Sequence, residues 1–149
     1  MKPNYLRNTN HQGAGEMKTT RVLILEDDLK TLSVIMDRLF ELEESLIGKT
    51  DFAVTVFSEY THVEDYLNKI QIPNFDIILL DRDCKMCGSF HVLDFDKYGK
   101  DKIISISSTP QWNEEAKAAG ITRIVPKDYS NLEDFGNRLI EEIKSLNQT

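Results

Sequence analysis

A handful of residues in this sequence have the types and positions to hold a cation and move a phosphoryl group. Glu26, Asp27 and Asp28 stand in a row directly after the apolar run VLIL at 22–25. Asp81 follows the apolar stretch FDIILL at 75–80, Ser107 closes KIISIS at 102–107, and Lys127 follows ITRIVP at 121–126. Adjacent carboxylates repel one another, and a buried one seldom lacks a partner. A hard divalent cation relieves that repulsion, and oxygen ligands suit Mg2+, which keeps several waters and so needs only two or three carboxylates. Lys127 offers a point charge suited to phosphate, and Ser107 offers a hydroxyl. Together these groups fit phosphoryl transfer, which depends mostly on positioning and charge neutralisation. Asp81 is the best-placed nucleophile, since a carboxylate can form an acyl phosphate. Asp28 immediately precedes a helical pattern and reads instead as that helix's N-cap.

These residues act together only if the chain brings them to one edge. After a polar stretch at 1–20, read as a mobile tail, short apolar runs alternate with helical periodicities. Strands are expected at 22–25, 52–57, 75–80, 102–107 and 121–125. The first helix carries Leu29, Leu32, Met36, Leu39 and Phe40 at helical spacing, with Ile35, Leu42 and Leu46 beside them. Ser58 is placed to cap a second helix bearing Val63, Tyr66, Leu67 and Ile70. A short third helix falls around 90–97. Thr109-Pro110 opens a fourth, which carries Trp112, Ala116 and Ala119 and stops at Gly120. Ser130 and Glu133 spell an S-x-x-E capping box for a last helix, with its stripe on Leu132, Phe135, Leu139, Ile143 and Leu146. Alternating strands and helices imply βα units, a parallel sheet and helices on both faces. The ligand site of such a sheet lies beyond the carboxyl ends of its strands. Glu26, Asp27, Asp81, Ser107 and Lys127 all fall there.

Composition narrows the function. The 149 residues suit one domain spanning 21–147 with a substantial core, and 40% hydrophobic with 29% charged residues marks an ordinary globular chain. A net charge of −7 argues against a broad nucleic-acid surface, because phosphate binding depends on clustered Lys and Arg. No run is long enough to span a bilayer and no signal peptide is visible, so a cytoplasmic location is expected. Two cysteines, Cys84 and Cys87, are too few for a disulfide framework. With His91 they offer three soft ligands but no fourth for structural zinc; reduced thiols in a loop are the plainer reading.

The motifs LILEDD at 23–28, FDIILLD at 75–81, ISISS at 104–108 and IVPK at 124–127 resemble the receiver domain of two-component response regulators, over about residues 20–147. The resemblance implies an α/β, flavodoxin-like, doubly wound sheet of five parallel strands in the order 2-1-3-4-5. It implies that Asp81 accepts a phosphoryl group from a histidine kinase or a histidine phosphotransfer protein. Mg2+ would be held by Glu26, Asp27 and Asp81 and by the backbone carbonyl of Asp83, whose own carboxylate would face solvent. Ser107 and Lys127 would bind the phosphoryl group and drive switching. The chain would catalyse nothing beyond its own phosphorylation and dephosphorylation. With no output domain expected, it would signal through a downstream protein target, and homodimerisation through an output face made by the fourth helix, fifth strand and fifth helix is compatible with that.

The sequence also departs from the family pattern. The loop RDCKMCG at 82–88 is short, the third helix is expected to be stunted, and the usual aromatic on the fifth strand is Ile124. Three rivals follow: an interaction module no longer phosphorylated, a thiol switch through Cys84 and Cys87, and a phosphatase using the D-x-D pair Asp81 and Asp83.

Overall fold

The computed structural model describes residues 15–71, 74–83 and 90–147. Cys84 and Cys87, and with them the thiol and zinc readings, lie outside the described residues. Five strands form one parallel sheet in the order β2-β1-β3-β4-β5, as the flavodoxin-like expectation requires. They are β1 (Lys18–Leu25), β2 (Thr50–Phe57), β3 (Ile77–Leu80), β4 (Ile103–Ser105) and β5 (Arg123–Ile124). β1 begins at Lys18, ahead of the apolar run, because its polar first residues pair with the start of β2.

The continuous apolar runs are explained by burial on both faces. Side chains alternate along a strand. Val22, Ile24, Ile77, Leu79 and Ile104 enter one core with α1 (Leu29–Ser45) and α5 (Leu132–Asn147). Leu23, Leu25, Ile78, Leu80 and Ile103 enter the other. That second core is covered by α2 (Tyr60–His62, continuing as a π-helical turn Val63–Leu67), α3 (Phe95–Tyr98) and α4 (Pro110–Ala118). The third helix is indeed stunted: it is a 3-10 turn at Phe90–Val92 followed by four residues of α3.

Three local features differ from what the sequence pattern suggests. Leu29, Met36 and Phe40 fall at helical spacing yet are 78%, 42% and 60% exposed; α1 buries Thr31, Ile35, Leu39 and Leu42. Apolar residues occupy more than one arc of this helix, and only one arc can meet the sheet. Ser58 caps nothing: α2 starts behind Glu59, which makes no side-chain cap bond. The Ser130–Glu133 box does not form either. Ser130 bonds the Asp128 carboxylate (Oγ to Oδ1, 2.5 Å), Asn131 Oδ1 accepts from the Asp134 amide at 3.1 Å, and Glu133 pairs with Arg38 of α1.

Two glycines have clear steric roles. Gly120 ends α4 at φ +96°, a conformation favouring glycine. Gly136 sits inside α5, where a Cβ would meet Val34 Cγ1 at 2.7 Å, so its absence lets α1 approach. At the sheet edge, Glu43 takes the Phe52 amide at 2.7 Å, which occupies one of the donors an edge strand would otherwise present.

Candidate functional site

The sheet register sets the site. Leu25 pairs with Leu80, Leu80 with Ser105, and Ser105 with Ile124, so the carboxyl ends of four strands stand level. The ladder runs one step further through the Asp81 amide to the Leu25 carbonyl (2.9 Å) and the Ile106 amide to the Leu80 carbonyl (3.0 Å). Glu26 and Asp81 therefore emerge side by side. Oxygens of Glu26, Asp27 and Asp81 lie within 4.8 Å of one another.

Lys127 closes the cluster from beyond β5. Its Nζ is 2.9 Å from Glu26 Oε2 and 2.9 Å from Asp81 Oδ2. The Lys127, Glu26 and Asp81 side chains are 1%, 0% and 1% exposed, so this charge set is taken almost fully out of water. Such burial is tolerated only with close pairing and hydrogen bonds for the remaining atoms. Glu26 Oε1 accepts from the amides of Asp27 (3.0 Å) and Asp28 (2.9 Å). Asp28 Oδ2 takes the Thr31 amide and hydroxyl, so Asp28 is the N-cap of α1, as its position suggested.

Burial, then the Glu26 carboxylate, push the Asp81 carboxyl up to about 8, with Lys127 and the Asp83 amide pulling the other way. Burial acts to lower the Lys127 ammonium, but Asp81 and Glu26 outweigh it and the net direction is up. Glu26, Asp27 and Asp81 gather more carboxylate oxygens than the one ammonium pairs with, and these are hard ligands. That chemistry fits Mg2+.

Ser107 is buried and makes no hydrogen bond to Asp81. Its hydroxyl donates to Asp83 Oδ2 at 3.2 Å, beside Thr109 Oγ1 at 3.0 Å on the same oxygen. The Asp83 amide in turn donates to Asp81 Oδ1 at 3.2 Å. The Asp83 carboxylate was expected to face solvent; it faces these two hydroxyls. Asn113 braces the loop, accepting from Ser105 Oγ (2.9 Å) and donating to the Ser107 carbonyl (3.0 Å). The fifth-strand position Ile124 is half-buried against the second core, while Tyr129 places its ring 5.6 Å from Lys127 Nζ.

Sequence reasoning missed Arg82, Thr109 and Asn113. Arg82 had one usable signal, a cation between two acids beside a buried strand. Thr109 and Asn113 had none, because their partners lie on other segments.

No protein-family model and no curated protein matches the chain. Solved structures do match. The "bacteriophytochrome response regulator AtBRR" aligns with 19% identity and a TM-score of 0.57, over 89% of this chain and 94% of its own. The "bacteriophytochrome response regulator RtBRR" aligns with 20% identity and a TM-score of 0.58, over 86% and 78%. A response regulator receiver domain from Rhodospirillum rubrum aligns with 12% identity and a TM-score of 0.56, over 85% and 94%. With its strand order and a site at the carboxyl edge, the chain has the fold of a response-regulator receiver domain.

Proposed function

We propose that this chain is a phospho-accepting receiver of a two-component or phosphorelay system. The observation that carries the reading is the buried Lys127 ammonium bridging Glu26 and Asp81 at the edge of the sheet. An Asp81 carboxylate oxygen attacks the phosphorus of a phosphohistidine on a histidine kinase or histidine phosphotransfer protein. The P–N bond breaks, the imidazole leaves with the electron pair, and an acyl phosphate forms on Asp81. Glu26, Asp27, Asp81 and the Asp83 backbone carbonyl would hold Mg2+, which when bound neutralises charge on the transferring group. Lys127 supplies a second positive charge, and Ser107 a hydrogen bond to a phosphoryl oxygen. The reaction ends at self-phosphorylation and hydrolysis of the acyl phosphate. Output passes to a protein partner, in the cytoplasm.

The test is incubation with acetyl phosphate and Mg2+, read by intact mass. The wild-type protein gains one phosphoryl group and Asp81→Asn gains none. A wild type that stays unlabelled, or an Asp81→Asn protein that takes the label, rules the reading out.

A further inference from the structure

The two residues after Asp81 both hold α4 or the loop that leads into it. Arg82 is 7% exposed, so its guanidinium is largely withdrawn from water. Its Cζ lies 5.5 Å from the centre of the Trp112 ring, Nη1 donates to the Trp112 carbonyl at 3.4 Å, and Nη2 meets Glu115 Oε2 at 3.3 Å. His91 stacks on the same indole at 6.5 Å and 15°. A planar cation set on a ring and bonded to that residue's backbone fixes orientation as well as distance. Asp83 holds the approach to the helix through Ser107 and Thr109. Thr109 is the N-cap residue of α4, yet its hydroxyl goes to Asp83 and makes no cap bond to its own helix.

A serine hydroxyl has one proton to donate. That of Ser107 is given to Asp83. A phosphoryl group on Asp81 would compete for it, and its added negative charge repels the Asp83 carboxylate. Ser107 cannot serve both acceptors. Redirecting that hydrogen bond to a phosphoryl oxygen leaves the Asp83 carboxylate on the Thr109 hydroxyl and loosens one tie on residues 82–83. Any shift of these residues reaches Trp112 through Arg82. Ile124, by contrast, offers no ring to carry a signal along β5.

We propose that Arg82 and Asp83 form a clasp on α4 that couples phosphorylation at Asp81 to the position of Trp112. The proposal rests on Asp81 being the phosphoryl acceptor. Arg82 is here a positioning residue, acting on the helix rather than on the reacting atoms.

Trp112 is the single tryptophan of the sequence, so its fluorescence reads α4 directly. The full chain is treated with Mg2+ and acetyl phosphate, and emission is followed alongside phosphoryl stoichiometry by intact mass. Wild-type emission should change in proportion to stoichiometry. Arg82→Lys keeps the charge but loses the planar fork. It should take up the phosphoryl group as wild type does while most of its emission response per phosphoryl group is lost. Glu115→Gln, altered at the solvent end of the clasp, should show the same loss in weaker form and carries the test if Arg82→Lys fails to fold. Equal responses in wild type and variants at equal stoichiometry overturn the clasp and leave Asp81 as acceptor. A wild type that takes up no phosphoryl group overturns the acceptor reading and the clasp with it.

Discussion

One face of the sheet is covered by long helices, with 17 residues in α1 and 16 in α5. The other carries a three-residue helical turn running into a five-residue π segment, then a four-residue α3 and the nine residues of α4. The long-helix face closes by direct packing, with α1 and α5 in contact at Gly136 and tied by Arg38 to Glu133 and, at 3.0 Å, Asn137. The broken face relies on side chains reaching backbone carbonyls. Lys97 Nζ donates to the Leu67 and Asn68 carbonyls at 2.8 Å each, Tyr98 to that of Leu67, and Asn68 to that of Val92 at 2.8 Å. Short helices have few intrahelical bonds of their own, so this side opens at lower cost. It is also the side on which residues 82 and 83 hold α4. The side beside residues 82 and 83 is therefore expected to deform more readily than the side covered by α1 and α5.

The largest test of that contrast is a matched pair of truncations. Phe135 in α5 and Phe90 beside α3 are both fully buried. Removing a buried aromatic ring costs more where the surroundings cannot collapse onto the cavity. Phe135→Ala should therefore lose about 4 kcal/mol and Phe90→Ala about 3 kcal/mol in urea unfolding. Equal or reversed losses would show that the broken face is as rigid as the other.

The next effect lies where the faces meet. Folding raises the Asp81 carboxyl from 3.8 to about 8 in the absence of a divalent cation. Between those values the folded protein keeps a proton that the unfolded chain has released. The stability this provides is complete below the unfolded value and is lost as pH rises through about 8. In EDTA the protein should lose stability, on the order of a few kcal/mol, between pH 5 and pH 7 relative to Asp81→Asn, which lacks the titration. Mg2+ binds the ionised carboxylate, so its stabilising effect should grow with pH over the same window. A pH dependence identical in the two proteins would remove the burial argument for Asp81.

Sequence legibility divides along the same line. The strands and the acids at their ends could be read because a doubly buried strand must be apolar throughout, and a carboxylate after such a run is conspicuous. Register then brings Glu26, Asp27, Asp81 and Lys127 together without further instruction. What could not be read depends on contacts between distant segments. Asp83 turns inward because two hydroxyls of the β4–α4 loop meet it. Arg82 is buried because Trp112, thirty residues on, supplies a ring to lie against. Met36 and Phe40 have the spacing of core residues but lie exposed on the side of α1 that carries Glu43, the residue bonded to the edge strand.

The smallest effect concerns how the helices of the two faces begin. α5 starts behind Asn131, whose side chain satisfies an otherwise unpaired amide, whereas α2 starts behind Glu59 with no such bond. Losing a working cap costs about 1 kcal/mol. Asn131→Ala should show that loss, while Ser130→Ala, whose hydroxyl bonds Asp128 outside the helix, should stay within about 0.5 kcal/mol of wild type. Glu59→Ser puts a favourable cap in an empty cap position and should raise stability by about 0.5 kcal/mol. If Glu59→Ser gains nothing, the start of α2 is held by its surroundings, Phe57 against His62 at 5.5 Å among them, and not by helix chemistry. The short helices on that side would then be consequences of tertiary packing, and their ease of opening would follow the packing around His62 rather than the missing cap.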